Sequence, residues 1–302
     1  MSSRIPLILV TGFLGSGKTT LLRELAATHP EWRMVFLVNE FADRNIDQLT
    51  LDTSGQPTQS VVGGSLFCEC KAGEFVRVMK EAVVAAHRKN PLDAVVVETS
   101  GIADPQAIGS LLRTHGLDRN VEIRRIVAVV APKRFLRLLA NLPNVGAQIR
   151  SSDLVLLNKT DLASEKELVA IEAVIRQHNP SAEIRRSTFC KVPLDLLEEA
   201  RELPDADLST VEANPFTTAL LSWPHDRPLA EAKAWLEGLP ESILRVKGGI
   251  ATPEGFYTVE GTVDSLSITE ADNPGKDTLV LIAHDRDASV LEGVVQEVQT
   301  TP

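Results

Sequence analysis

The string Gly12-Phe13-Leu14-Gly15-Ser16-Gly17-Lys18-Thr19 constrains this chain more than any other feature. An aliphatic run, Ile5 to Val10, precedes it and reads as a buried strand. A segment from Lys18 to Thr28 follows, with Leu21, Leu22 and Leu25 on one helical stripe. A G-x-x-x-x-G-K-T string between strand and helix is a phosphate cradle. Its glycines let successive backbone N–H groups turn toward phosphate oxygens, and the helix N-terminus adds a favourable dipole. In that setting Lys18 reaches the β- and γ-phosphates, and the Thr19 hydroxyl ligates Mg²⁺. Gly12, Gly15, Ser16, Gly17, Lys18, Thr19 and Thr20 are therefore the expected phosphate-binding residues. Because the first apolar run flows straight into the cradle, it reads as a strand and not as a leader peptide.

The next stretch alternates between two periodicities. Met34 to Val38, Asp93 to Val97, Ile126 to Val130 and Leu154 to Leu157 are aliphatic strands. Glu74 to Lys89 has helical spacing through Phe75, Val78, Met79, Ala82 and Ala86. Such alternation predicts an α/β fold, a P-loop NTPase domain with a mostly parallel sheet and right-handed crossovers. Asn39 to Gly64 reads as polar and irregular, with turns at Ser54-Gly55 and Gly63-Gly64. Near residue 204 the character changes, and Leu203 to Asp207 and Asn214-Pro215 read as a linker. One helix, Leu229 to Glu237, and extended segments at Ile243 to Val246, Tyr257 to Val263 and Leu279 to Ala283 follow. They predict a smaller C-terminal α+β domain, with boundaries at 1–205 and 206–302.

Two further motifs fall where aliphatic strands end, the edge at which open α/β sheets gather ligands. Asn158-Lys159-Thr160-Asp161 follows Leu157. A carboxylate at Asp161 accepts from both guanine N1–H and its exocyclic amine, a pair that adenine lacks. Asn158, Lys159 and Asp161 are thus expected to bind the base of GTP, although Asn and Asp also serve as helix caps. Glu98-Thr99-Ser100-Gly101 ends another strand. There Glu98 is placed to hold Mg²⁺ or its water, and the Gly101 N–H to sense the γ-phosphate. The plainer alternative makes Glu98 a cap for the helix that starts near Pro105. Lys18, Glu98 and Glu40 form the expected catalytic set. Glu40 and Asp47 fall in the expected switch I segment, where either is a candidate to orient the attacking water, and a partner or second subunit is the other source of it. Hydrolysis by the isolated chain is then expected to be slow.

Charge and cysteine usage narrow the partners. A formal net charge of -10, with only short basic runs at Arg124-Arg125 and Arg185-Arg186, disfavours nucleic acid. No apolar stretch approaches the ~20 residues that a membrane helix needs, so no membrane partner is expected. Three cysteines make no disulfide framework, and a reducing, cytoplasmic home is the simplest expectation.

With these motifs assembled, the chain resembles the CobW-type family of P-loop GTPases, relatives of the urease and hydrogenase maturation GTPases. The likeness rests on Ile5-Pro6, the loop Gly12 to Thr20, and Val38-Asn39-Glu40-Phe41. It continues through Glu98-Thr99-Ser100-Gly101-Ile102-Ala103-Asp104-Pro105, Gln148-Ile149, Ser152-Asp153 and Asn158 to Leu162. Leu244 to Gly248 is similar to the opening of the family's C-terminal domain. The resemblance implies GTP hydrolysis coupled to delivery of a transition metal, zinc or cobalt, to a client metalloprotein. A homodimer is a further expectation.

The resemblance also implies a C-x-C-C metal motif in the switch region, where this chain has Cys68-Glu69-Cys70-Lys71. Thiolates two apart in an extended segment point to the same side and favour Zn²⁺ or Co²⁺. Cys68 and Cys70 are accordingly the candidate cargo ligands, with Glu69, Glu40 or a client side chain completing the site. A pair of small thiols without ligand role stays open, and with it a GTP-switched interaction protein that carries no metal. Cys190, after Thr188, reads as a packed thiol or a residue of the base-contacting loop. A small-molecule kinase is a third reading, against which the guanine-selective motif argues.

Overall fold

The computed structural model describes residues 4–40, 58–62, 69–101, 103–193, 196, 216–262, 265–272 and 277–300, the side chains of 39–40, 58–62, 69–72 and 300 excepted. The chain divides into two compact units, Met1–Glu212 and Ala213–Pro302.

The first unit is a seven-stranded sheet in the order β3-β2-β4-β1-β5-β6-β7. Its strands are β1 (Ile5–Thr11), β2 (Met34–Glu40), β3 (Thr58–Val62), β4 (Ala94–Glu98), β5 (Val121–Val130), β6 (Leu154–Leu157) and β7 (Glu183–Arg186). Every pairing is parallel. In a parallel sheet covered on both faces, alternate residues supply two separate cores. Leu7 and Leu9 of β1 join Val35, Leu37, Val95 and Val97 on one face. Ile8 and Val10 join Phe36, Val96, Val127 and Val129 on the other.

Helix α1 (Lys18–Thr28) lays Leu21, Leu22 and Leu25 on the second face. Helix α2 (Glu69–Val78) passes through a π-helical stretch, Met79–Val84, into α3 (Ala85–Lys89). With α4 (Ala107–Thr114) it covers the first face through Phe75, Met79, Val83, Ile108 and Leu111. Then come α5 (Phe135–Asn141), α6 (Pro143–Ser151) and α7 (Glu165–His178). A capping box of Ser164 and Glu167 starts α7, and the hydrogen bonds that the Glu167 carboxylate accepts from the Ser164 hydroxyl and N–H hold it below its ordinary value.

Two expectations need correction. The stretch from Asn39 to Gly64 is not irregular throughout, since Thr58–Val62 pairs with β2 as the edge strand of the sheet. An edge strand needs no continuous aliphatic run, which is why Thr-Gln-Ser-Val-Val gave no strand signal. Cys70 lies in the first turn of α2 and not in an extended segment, so the same-side argument for two thiols does not apply there. Cys68, Asp47 and the turns at Ser54-Gly55 and Gly63-Gly64 lie outside the described residues.

The second unit is an antiparallel sheet in the order β11-β10-β9-β12-β8. Its strands are β8 (Phe216–Leu221), β9 (Ile243–Thr252), β10 (Gly255–Thr262), β11 (Ser265–Ala271) and β12 (Leu279–His284). Helices α8 (Leu229–Glu237) and α9 (Ala288–Thr300) complete it. Its core joins Trp223, Leu236, Val246, Ile250, Leu281 and Leu291. Among the described residues, no helix is long and apolar enough to cross a membrane.

Candidate nucleotide site

β1 lies between β4 and β5, so the loop after Thr11 emerges at the sheet's C-terminal edge between two strands that approach from opposite sides of the order. That is the crevice in which open α/β sheets bind ligands. Gly12, Gly15 and Gly17 all have positive φ, at 131°, 73° and 112°. At Gly17 the need is steric as well, because a Cβ there would run into the Asn158 amide nitrogen. Lys18 opens α1, is 6% exposed, and folds its ammonium over the loop, donating to the carbonyls of Gly12 at 3.0 Å and Phe13 at 3.2 Å. Thr20 follows on the same first turn. The Ser16 hydroxyl is buried with no hydrogen-bond partner among the described residues. An orphaned hydroxyl inside a ring of turned backbone matches a phosphate oxygen that completes it.

The expected magnesium residues meet. Thr19, at the start of α1, donates its hydroxyl proton to the Glu98 carboxylate, at 3.1 Å from Oε2 and 3.3 Å from Oε1. Glu98 is the last residue of β4 and only 6% exposed. One hydroxyl and one carboxylate beside a phosphate cradle are the hard oxygen donors that Mg²⁺ takes, so the residues fit the ion. When bound, Mg²⁺ supplies neutralisation of charge on the β- and γ-phosphates.

The turn after Glu98 is held from three sides. Thr99 N–H donates to the Val10 carbonyl at 2.9 Å, and its hydroxyl donates to Thr11 Oγ1 at 3.1 Å. Gln148, on α6 and 1% exposed, donates Nε2–H to the carbonyls of Gly101 at 3.2 Å and Ala103 at 3.1 Å. A Cβ on Gly101 would sit 2.6 Å from the Leu14 backbone nitrogen. The cradle and the Gly101 turn are thus in direct backbone contact. Gln148-Ile149 entered the sequence reading only as part of the family likeness, and the fold shows that Gln148 supports the turn.

The base motif is bound to the cradle. Asn158 is 1% exposed and donates Nδ2–H to the Ser16 carbonyl at 3.1 Å. Its Oδ1 accepts from the Ser187 hydroxyl at 3.2 Å and the Cys190 N–H at 2.9 Å. Lys159 is left-handed, with φ 58°, and Asp161 stands exposed in a 3-10 turn, Thr160–Leu162. Ser187, which the sequence did not single out, also receives the Thr160 hydroxyl on its carbonyl at 3.1 Å. Cys190 is fully buried and points its thiol at the Gly17 carbonyl, 3.5 Å away, which agrees with the packed-thiol reading. Burial foremost, with Glu24 adding and Lys159 opposing, pushes that thiol up to about 12.

Glu40 ends β2 at the same sheet edge, but its side chain lies outside the described residues. Among the described residues, no group of three or more His, Cys, Asp or Glu side chains is arranged to hold a metal ion.

The family model for the CobW/HypB/UreG nucleotide-binding domain matches residues 6–186. The chain belongs to the CobW/HypB/UreG family. It is a P-loop GTPase of that family, and residues 6–186 span the cradle, Glu98 and the base motif. It is 28% identical to the zinc chaperone CobW of Pseudomonas aeruginosa over 83% of this chain and 78% of that protein. With the zinc chaperone YeiR of Escherichia coli it shares 28% identity, over 86% of this chain and 87% of the other. With the zinc-regulated GTPase metalloprotein activator 1 of Schizosaccharomyces pombe it is 30% identical over 67% of this chain, spanning about half, 49%, of that longer protein.

Proposed function

We propose that this GTPase is a metallochaperone, in which the nucleotide state governs delivery of zinc or cobalt to a client metalloprotein. GTP binds across Gly12 to Thr20, Glu98 and Asn158 to Asp161, with Lys18 on the β- and γ-phosphates and Gly101 facing the γ-phosphate. The contact between Thr19 and Glu98 carries the nucleotide half of this reading, since it joins the cradle to a buried carboxylate of the right chemistry. The metal half draws support from the two zinc chaperones to which the chain is similar along most of its length.

A topological relationship supports coupling between the halves. β3 runs parallel to β2, so Val62 leaves the sheet at the same edge as Thr11, Glu40 and Glu98. Cys68 and Cys70 follow in the chain, before or within the first turn of α2. Contacts from the γ-phosphate to the segment between Glu40 and Cys70 bring the two thiols to the metal, and hydrolysis releases it. Glu40, a client or a second copy of the chain orients the attacking water.

Lys71, in the place of a third cysteine, favours a second reading, a GTP-switched interaction protein without metal cargo. Competition for Zn²⁺ and Co²⁺ against a chromophoric chelator separates the two. The protein is loaded with Mg²⁺ and a non-hydrolysable GTP analogue, then with GDP, beside a Cys68→Ser/Cys70→Ser control. Metal binding that needs the analogue and both thiols supports the chaperone. Binding no tighter than the control, beside normal GTP binding, leaves the switch protein.

A further inference from the structure

The segment Thr188-Phe189-Cys190-Lys191 is a tight turn closed by Lys191 N–H donating to the Thr188 carbonyl at 3.2 Å. Both of its central residues are left-handed, Phe189 at φ 55° and Cys190 at φ 59°. Turns of this kind prefer Asn-Gly, because a side chain at positive φ brings Cβ too close to the following carbonyl oxygen. Phe-Cys is a poor sequence for the job. An outlier of this kind calls for a gain elsewhere.

Cys190 accounts for its own strain. Its N–H and thiol lock Asn158 and Gly17, as described above. Among the described residues, the Phe189 side chain makes no such return. Its side chain is 67% exposed, in a chain where aromatic residues are only 4% and most large apolar side chains are buried. The turn also has a fixed address. Ser187 accepts from Thr160 on its carbonyl, the Thr188 and Thr160 hydroxyls lie 3.2 Å apart, and Cys190 is bonded to Asn158. The phenyl is therefore held beside the base motif by bonds on both sides of it in sequence.

We propose that Phe189 is a base-stacking residue, whose ring covers a face of the guanine that Asp161 reads at its edge. The inference rests on the guanine-nucleotide reading of the site. A flat apolar ring suits the π-face of a purine, and Asp161 supplies the selectivity that stacking lacks. The backbone strain at the turn is then repaid in nucleotide affinity.

Calorimetry with GDP, ADP and inorganic pyrophosphate tests this, since pyrophosphate fills the cradle without a base. Phe189→Ala is expected to weaken GDP about tenfold and leave pyrophosphate unchanged, with Phe189→Tyr close to the parent. In Phe189→Trp, GDP should quench the added indole emission and pyrophosphate should not. Unchanged GDP affinity in Phe189→Ala overturns the proposal. So does an equal loss for GDP and pyrophosphate, which would mean that the ring acts only through the Asn158–Gly17 contacts. Asp161→Ala separates the underlying reading, because it should abolish the preference for GDP over ADP. Should that preference survive, the guanine site itself is misassigned and the stacking role falls with it.

Discussion

Asn158 Nδ2 donates to the Ser16 carbonyl at 3.1 Å across 142 residues of sequence, which makes the base motif and the phosphate cradle one hydrogen-bonded unit. Removing the amide in Asn158→Ala strands three buried groups at once, the Ser16 carbonyl, the Ser187 hydroxyl and the Cys190 N–H. Each orphaned group costs about 1–3 kcal/mol, so a loss of about 2 kcal/mol or more in urea unfolding is expected. GDP affinity should fall by more than about tenfold in calorimetry, because 1.4 kcal/mol already corresponds to that factor. Stability and affinity near those of the parent would show that the two motifs are independent.

Gly101 tests the second joint of the site. Its missing Cβ is what lets Leu14 of the cradle lie against it, with the Leu14 backbone nitrogen at 2.6 Å from where a Cβ would be. In Gly101→Ala the obstacle is backbone, which cannot rotate away. The cradle must shift, and GTP affinity should drop at least about tenfold even at saturating Mg²⁺. A matched Gly116→Ala control stands in open space at φ 66° and should cost stability alone, about 1 kcal/mol. Equal effects of the two changes on GTP binding would exclude the contact as a functional one.

The Thr19–Glu98 contact makes a prediction about ion dependence. Thr19→Ala should remove most of the tightening of GTP by Mg²⁺ while GDP binding in chelator stays near the parent value. Glu98→Gln keeps the shape and an acceptor oxygen but removes the charge. Single-turnover phosphate release should then fall by about a hundredfold, in line with loss of a charge-stabilising group. Mg²⁺ dependence unchanged in both variants would remove this pair from the ion site.

Several parts of this architecture were legible in the sequence because each is a local statement. β1, β4 and β6 are buried on both faces and read as plain aliphatic runs, and the cradle is a string flanked by strand and helix. β3 was not legible, since Thr58 to Val62 forms an edge with one neighbour and needs no such run. The joints of the site were hidden for another reason. Gln148 supports Gly101, and Asn158 holds Ser16, across separations that no pattern within either segment encodes. The turn at Phe189 and Cys190 runs against local turn preference, so a reading by propensity passes over the place where the chain departs from it.

Cys190 supplies a prediction with a defined pH window. The ordinary value for this thiol is 9.0, and burial chiefly, with Glu24 adding and Lys159 opposing, pushes it up to about 12 in the folded chain. The folded state therefore holds the proton more tightly than the unfolded state, which ionises first as pH rises. The stability contributed by the buried neutral thiol is intact below about pH 9 and is lost progressively as pH climbs toward about 12. Serine at this position does not ionise in that window and retains a donor for the Gly17 carbonyl. Urea unfolding at about pH 8 and about pH 10.5 should thus show a steeper loss for the parent than for Cys190→Ser, with other titrating groups common to both. Parallel losses in the two proteins would mean that the thiol is already ionised, or solvated, in the folded state. Reaction of the native protein with a thiol reagent distinguishes these cases, because a neutral, buried Cys190 should label only as fast as the chain unfolds.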